Sequence, residues 1–90
     1  MNLQRLINIS TDLTIKLAYS NIEGQVNFVQ EDGCYYIEFV HYDDAYEEIY
    51  RDINIFDYDS EDIIVKKFEY VKSVIAREKN IELYQGELVI

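Results

Sequence analysis

Asp32-Gly33 separates two runs in which apolar and polar residues alternate, Gln25 to Glu31 and Cys34 to His41. A two-residue hairpin turn needs positive φ at both central positions, and Asp-Gly is among the pairs that accept it most readily. Pairing outward from the turn sets Glu31 opposite Cys34, Gln30 opposite Tyr35, Phe28 opposite Ile37 and Val26 opposite Phe39. That register gathers Val26, Phe28, Tyr35, Ile37 and Phe39 on one face and Asn27, Val29, Tyr36, Glu38 and Val40 on the other. One face is a core face and its reverse is mixed, so a slip of one residue would turn the whole apolar set to water.

The remaining segments supply what covers that face. Leu3, Leu6 and Ile7 have helical spacing, which predicts a short helix from Asn2 to Ser10 with Asn2 as its N-cap. Leu13, Ile15, Leu17 and Tyr19 alternate with polar residues and predict a strand, followed by a turn over Ser20 to Gly24. Ala45, Tyr46, Ile49 and Tyr50 give Asp43 to Tyr50 the spacing of a second short helix, and Ile53-Asn54-Ile55 reads as a short strand inside Asp52 to Asp57. A long helix is expected near residues 60–79. Asp59 or Ser60 caps it, Glu61 and Asp62 sit at its positive end, and Arg77 and Lys79 lie near the other. Ile64, Phe68, Val71 and Ile75 form its apolar stripe, Asn80 ends it, and Ile81 to Ile90 reads as a last strand broken at Gly86. Ninety residues make room for one small domain spanning 1–90. The expected class is α+β, an antiparallel sheet of three or more strands carrying helices.

The chemistry such a chain supports is narrow. With one His and one Cys, a nucleophilic dyad is restricted to Cys34 and His41. Seven strand residues put them roughly 23 Å apart, on opposite faces. The same scarcity leaves zinc without ligands. Asp57-Tyr58-Asp59-Ser60-Glu61-Asp62 starts like a calcium loop but has Asp62 where Gly belongs and Phe68 where the closing Glu belongs, so a helix cap explains it better. Only Gly24, Gly33 and Gly86 are present, and no phosphate-binding glycine motif is written. No enzyme activity, cofactor or metal is expected. A lone Cys excludes an internal disulfide, Met1 to Asn8 lacks the pattern of a signal peptide, and no apolar run approaches the roughly 20 residues of a membrane helix. The expectation is a cytoplasmic protein with no membrane partner.

Charge is the unusual feature. The chain carries −10, and residues 31–62 hold twelve acids against Arg51 alone, while the rest has six acids and seven bases. Such a charge argues against direct binding of nucleic acid, and it costs self-repulsion that interspersed signs would avoid. Tyr35, Tyr36, Tyr42, Tyr46, Tyr50, Phe56 and Tyr58 are interleaved with the acids. Tyrosine is a flat amphipathic contact residue, and beside carboxylates it suits a partner surface rich in Arg and Lys. Glu31, Asp32, Asp43, Asp44, Glu47, Glu48, Asp57 and Asp59 are therefore the candidate contact acids, with Tyr42, Tyr46 and Tyr50 as flat contacts.

Met1-Asn2-Leu3 with Leu6-Ile7, then Thr14-Ile15-Lys16-Leu17, then the Asp32-Gly33 hairpin followed by Tyr35-Tyr36-Ile37, resemble small acidic type II-A anti-CRISPR proteins of low-GC phages and prophages. The likeness covers roughly residues 1 to 40. It implies an inhibitor that carries acids into the PAM-reading site of an RNA-guided DNA nuclease, with Asp32 and Gly33 at the loop nearest the PAM-reading arginines and Glu31 beside them. Cys34 and Tyr35 depart from the pattern, standing where the relative has an Asn and an acid. The implied function is a phage-encoded DNA mimic that binds a guide-loaded type II-A CRISPR nuclease and evades host defence in the bacterial cell. An immunity protein or antitoxin that neutralises a basic toxin nuclease is the alternative with the same physics.

Overall fold

The computed structural model describes residues 3–90. Helix α1 (Leu3–Ala18) leads into three strands, β1 (Glu23–Glu31), β2 (Cys34–Tyr42) and β3 (Tyr50–Phe56), then helix α2 (Glu61–Ile75) and a two-residue hairpin, β4 (Leu83–Tyr84) and β5 (Glu87–Leu88). The three long strands form an antiparallel sheet in the order β1-β2-β3. The fold is the expected α+β class, and the hairpin register is the one the turn dictates, Glu31 on Cys34 through Val26 on Phe39. Asp32 and Gly33 take φ of 52° and 76°, which only a glycine or a short polar side chain accepts easily.

Both helices lie on one face of this sheet. Ile37 and Phe39 of β2 meet Ile53 and Ile55 of β3, and Leu6, Ile9 and Leu13 of α1 close over them with Ile64, Val71, Val74 and Ile75 of α2. Each of those side chains is almost fully buried, so the cluster is one continuous core. α2 begins as expected: Ser60 caps it by accepting a hydrogen bond from the Ile63 N–H, and Glu61 and Asp62 occupy the first turn. Arg5 pairs with Glu61 and ties the start of α1 to the start of α2.

Four local expectations are corrected. Residues 13–18 are the second half of α1 and Tyr19 lies in the turn that follows it, so this stretch is not a strand. Leu6, Ile9 and Leu13 recur at helical spacing and are buried together, with half-buried Leu17 packed against the same cluster, so the long-range core overrides the local alternation. Asn2, the expected cap, lies outside the described residues. Residues 43–49 are two successive tight turns, not a helix: Asp43 accepts the Ala45 N–H on its side chain, Tyr46 N–H bonds to Asp43 O, and Ile49 N–H bonds to Tyr46 O. Helix α2 stops at Ile75, leaving Arg77 and Lys79 beyond it. Arg77 takes a left-handed φ of 64°, its N–H bonds to Val74 O, and Glu78 N–H reaches Ser73 O, the paired bonds of a Schellman stop.

The last strand is also absent as such. Around residues 80–82 the backbone is held by side chains instead of a ladder: Tyr46 Oη accepts the Ile81 N–H, Arg51 donates to Ile81 O, and Tyr70 Oη bonds both Asn80 O and Glu82 N–H. The remainder folds on itself at Gln85-Gly86, where both φ values are positive. Leu83 and Leu88 from this small hairpin rest against the core.

One glycine allows a close approach of β1 to the backbone of β2. A Cβ at Gly24 would stand 2.5 Å from the backbone oxygen of Val40, with Leu17 of α1 also in contact range at 3.7 Å. Gly24→Ala is therefore expected to destabilise the protein by about 2 kcal/mol, a drop in melting temperature of roughly 8–16 °C, because backbone must move. An unchanged thermal midpoint would show that the strand accommodates the methyl group freely.

Candidate functional site

The layers sort the charge. Residues 23–60, which comprise β1, β2, β3 and their connections, hold eleven carboxylates against Arg51 alone, and the rest of the chain has seven acids and seven bases. The whole net charge of −10 therefore belongs to the sheet layer. Strand alternation then sends side chains of that layer either into the helices or to the opposite, uncovered face. That outer face carries Glu23, Gln25, Asn27 and Val29 from β1, Tyr36, Glu38, Val40 and Tyr42 from β2, and Tyr50, Asp52, Asn54 and Phe56 from β3.

The expected contact acids lie at the two ends of this face. Glu31, Asp32 and Gly33 form the exposed tip of the β1–β2 hairpin. Asp43, Asp44, Glu47 and Glu48 occupy the β2–β3 connection at the other end of β2, about 25–30 Å away for a nine-residue strand. Among them Glu31, Asp32, Asp44 and Glu47 are exposed, and their side chains make no hydrogen bond or ion pair. Asp43 is engaged in its own turn, and Glu48 sits 3.9 Å from Arg51.

Asp57 and Asp59 have work inside the fold. Asp57 accepts the Tyr35 N–H at 3.1 Å, which fastens the end of β3 to β2. Asp59 accepts the Phe56 N–H at 3.0 Å and pairs with Lys67 at 2.6 Å, with both side chains largely covered. With Ser60 as the cap, the acids that mimic the start of a calcium loop are accounted for by a turn, an ion pair and a helix start.

Tyr42 and Tyr50 face each other across β2 and β3 on the outer face, rings 6.3 Å apart, and Tyr50 is half exposed. Tyr46 is a correction: it is 4% exposed and belongs to the core, not to a contact surface. Its hydroxyl accepts the Ile81 N–H at 2.7 Å, which leaves the phenolic hydrogen for His41 Nδ1 at 2.8 Å. Arg51 stacks over its ring at 5.0 Å. Tyr46 thus pins the acidic 43–49 connection to β2 and to the C-terminal segment.

Residue-level reading missed two parts of the face. Glu38 and Asp52 stand in its middle, held by Asn27 at 3.1 Å and Asn54 at 2.9 Å, and they link the two acidic ends. An aromatic row runs beside them: Tyr36 packs on Phe56 at 5.3 Å, and Phe56 stacks on the exposed Tyr58 at 4.9 Å. The hairpin register already assigned Glu38 and Tyr36 to the mixed face, so alternation was the available signal. Partial burial, and then the charges of Glu31 and Glu38, hold the Tyr36 phenol above its ordinary pKa.

Compared with protein-family models, with curated proteins and with solved structures, the chain matches none of them. Among the described residues, no helix is long and apolar enough to cross a membrane, and no three His, Cys, Asp or Glu side chains gather as metal ligands.

Burial lowers the pKa of His41, against a smaller opposing pull from Asp43. The unfolded chain takes up this proton near pH 6.5, whereas folded His41 resists it until lower pH. Between those values the unfolded state binds more protons, so stability is expected to fall as pH drops below about 6.5. Urea titrations at pH 7.5 and stepwise lower check this, and His41→Asn, which keeps a polar partner for Tyr46 without titrating, should flatten that part of the curve. An equal slope in both proteins would assign the effect to other groups.

Proposed function

We propose that the protein is a non-enzymatic acidic inhibitor, phage-encoded, that occupies the basic nucleic-acid-binding groove of a guide-loaded type II-A CRISPR nuclease in the bacterial cytoplasm and blocks target DNA binding by mimicry of the PAM duplex. The observation that carries this reading is the segregation of the entire net charge of −10 to the sheet layer, whose outer face is free of helices and bears tyrosines among its carboxylates. Charge gathered on one face is what steers a protein onto a basic groove and competes there with phosphates.

The exposed, unpaired acids are the working ones. Glu31 and Asp32 at a rigid hairpin tip offer carboxylates to a pair of arginines that otherwise grip guanine edges, and carboxylate to guanidinium bonds are charge-assisted and directional. Asp44 and Glu47 add contacts at the far end of the face, while Glu38, Asp52, Tyr42 and Tyr50 supply its centre. Burial of Tyr46 supports the same reading indirectly, because it holds the acidic connection in one conformation before binding.

Titration of the protein into PAM-dependent DNA cleavage by a guide-loaded type II-A nuclease tests the proposal, run with the protein added before or after the DNA. Inhibition only when the protein comes first is expected. The variant Glu31→Gln, Asp32→Asn, Asp44→Asn, Glu47→Gln should fold normally, since none of the four supports a neighbour, yet bind more than about tenfold more weakly with a shallower salt dependence. No inhibition at large excess would overturn the nuclease target and turn attention to a basic toxin nuclease. Unchanged affinity in the folded variant would overturn the mimicry.

A further inference from the structure

An open cavity of about 530 Å³ lies between the β2–β3 connection and the segment that follows α2. Arg51 and Lys79 line it with the rings of Tyr46 and Tyr70. Each cation rests on one of those rings: the Arg51 guanidinium lies 5.0 Å from the centre of Tyr46, and Lys79 Nζ lies 3.8 Å from the centre of Tyr70. A ring quadrupole holds a cation in place but does not neutralise its charge.

Neither cation is answered by a carboxylate at hydrogen-bond distance. In a chain of eighteen acids, Lys16, Lys66, Lys67 and Lys72 each hold a carboxylate at 2.6–3.1 Å, whereas Lys79 pairs with none among the described residues. Arg51 is the only base among residues 23–60, yet Glu48 stays 3.9 Å from its Nε and no hydrogen bond forms there. Nη1 donates to Ile81 O at 2.8 Å, which fixes the guanidinium, while Nη2 makes no hydrogen bond. A guanidinium held in this way offers a donor at little further loss of side-chain freedom.

The rest of the lining sets the chemistry of a ligand. The tyrosine hydroxyls are already engaged, Tyr46 Oη with His41 and Ile81 and Tyr70 Oη with Asn80 O and the Glu82 N–H. Ala45, Ile81 and Val89 add apolar surface, and Glu82 is the one carboxylate in the lining among the described residues, so two cations against one acid leave a formal charge of +1. That balance matches one negative charge rather than two, attached to a body with no further hydrogen-bonding groups. We infer that the cavity binds a small aliphatic carboxylate, its charge taken by Arg51 and Lys79 and its body lying against Ala45, Ile81 and Val89. The site stands independently of what the acidic face binds.

Titration of 4-methylpentanoate into nitrogen-15-labelled protein at constant ionic strength should shift the amide resonances of Arg51, Ile81, Glu82 and Val89 and saturate with a dissociation constant on the order of millimolar. The neutral isostere 4-methylpentanamide should bind at least about tenfold more weakly, since it brings no charge to the two cations. Lys79→Met removes an ammonium at an exposed position and keeps the length of the side chain; it should weaken carboxylate binding about three- to fivefold with an unaltered circular dichroism spectrum. Lys16→Met, which removes a lysine of α1 outside this cavity, should leave binding unchanged. Shifts confined to other residues, equal binding of acid and amide, tighter binding of inorganic phosphate, or affinity indifferent to Lys79→Met would each overturn the inference.

Discussion

Both helices pack on a single face of a three-stranded sheet, and the rest of the molecule depends on that one-sided burial. The inward row of Ile37, Phe39, Ile53 and Ile55 is sealed by α1 and α2, which removes those side chains from water and supplies the main driving force for folding. The reverse face has no such cover. Its residues must satisfy water, one another or a partner, and the sequence fills it with carboxylates, amides and tyrosines that bond to one another between β1 and β2 and along β3.

One-sidedness also explains how a chain of this charge folds. Concentrated carboxylates repel one another and favour expansion. Here they are spread over two ends and the middle of an open face, where water and salt screen them, and no row of acids is buried among the helices. The two acids with the most covered roles, Asp57 and Asp59, are answered by backbone N–H groups and Lys67. The side chains of Glu31, Asp32, Asp44 and Glu47 carry no such duty.

The C-terminal segment is joined to the acidic face through Tyr46. Its ring is buried, its hydroxyl links His41 on β2 to Ile81, and Arg51 lies over its ring while donating to Ile81 O. A connection of tight turns, including Ile49 at a φ of 75°, would otherwise be a loose stretch of acids. Tertiary hydrogen bonds hold it as a ledge, and such preorganisation is what the proposed mimicry would require.

Much of this was legible in the residues themselves. Asp32-Gly33 and the alternation around it dictated the hairpin, its register and its two faces, because turn chemistry and period-two patterning are local properties. Ser60, Glu61 and Asp62 likewise marked the start of α2, and the acids of residues 31–62 announced a polarised surface. Other features were decided only by the folded whole. Leu13, Ile15, Leu17 and Tyr19 alternate like a strand, yet Leu13 is buried and Leu17 half-buried against the core, while Ile15 and Tyr19 stay outside, since the core rewards the helical spacing that begins at Leu6. Tyr46 looked like a contact residue until the distant Ile81 claimed its hydroxyl. The sequence alone determined where the chain turns and which residues repel or avoid water; the tertiary structure decided which apolar residues share the core and which acids stay free, because burial is settled between segments far apart in the chain.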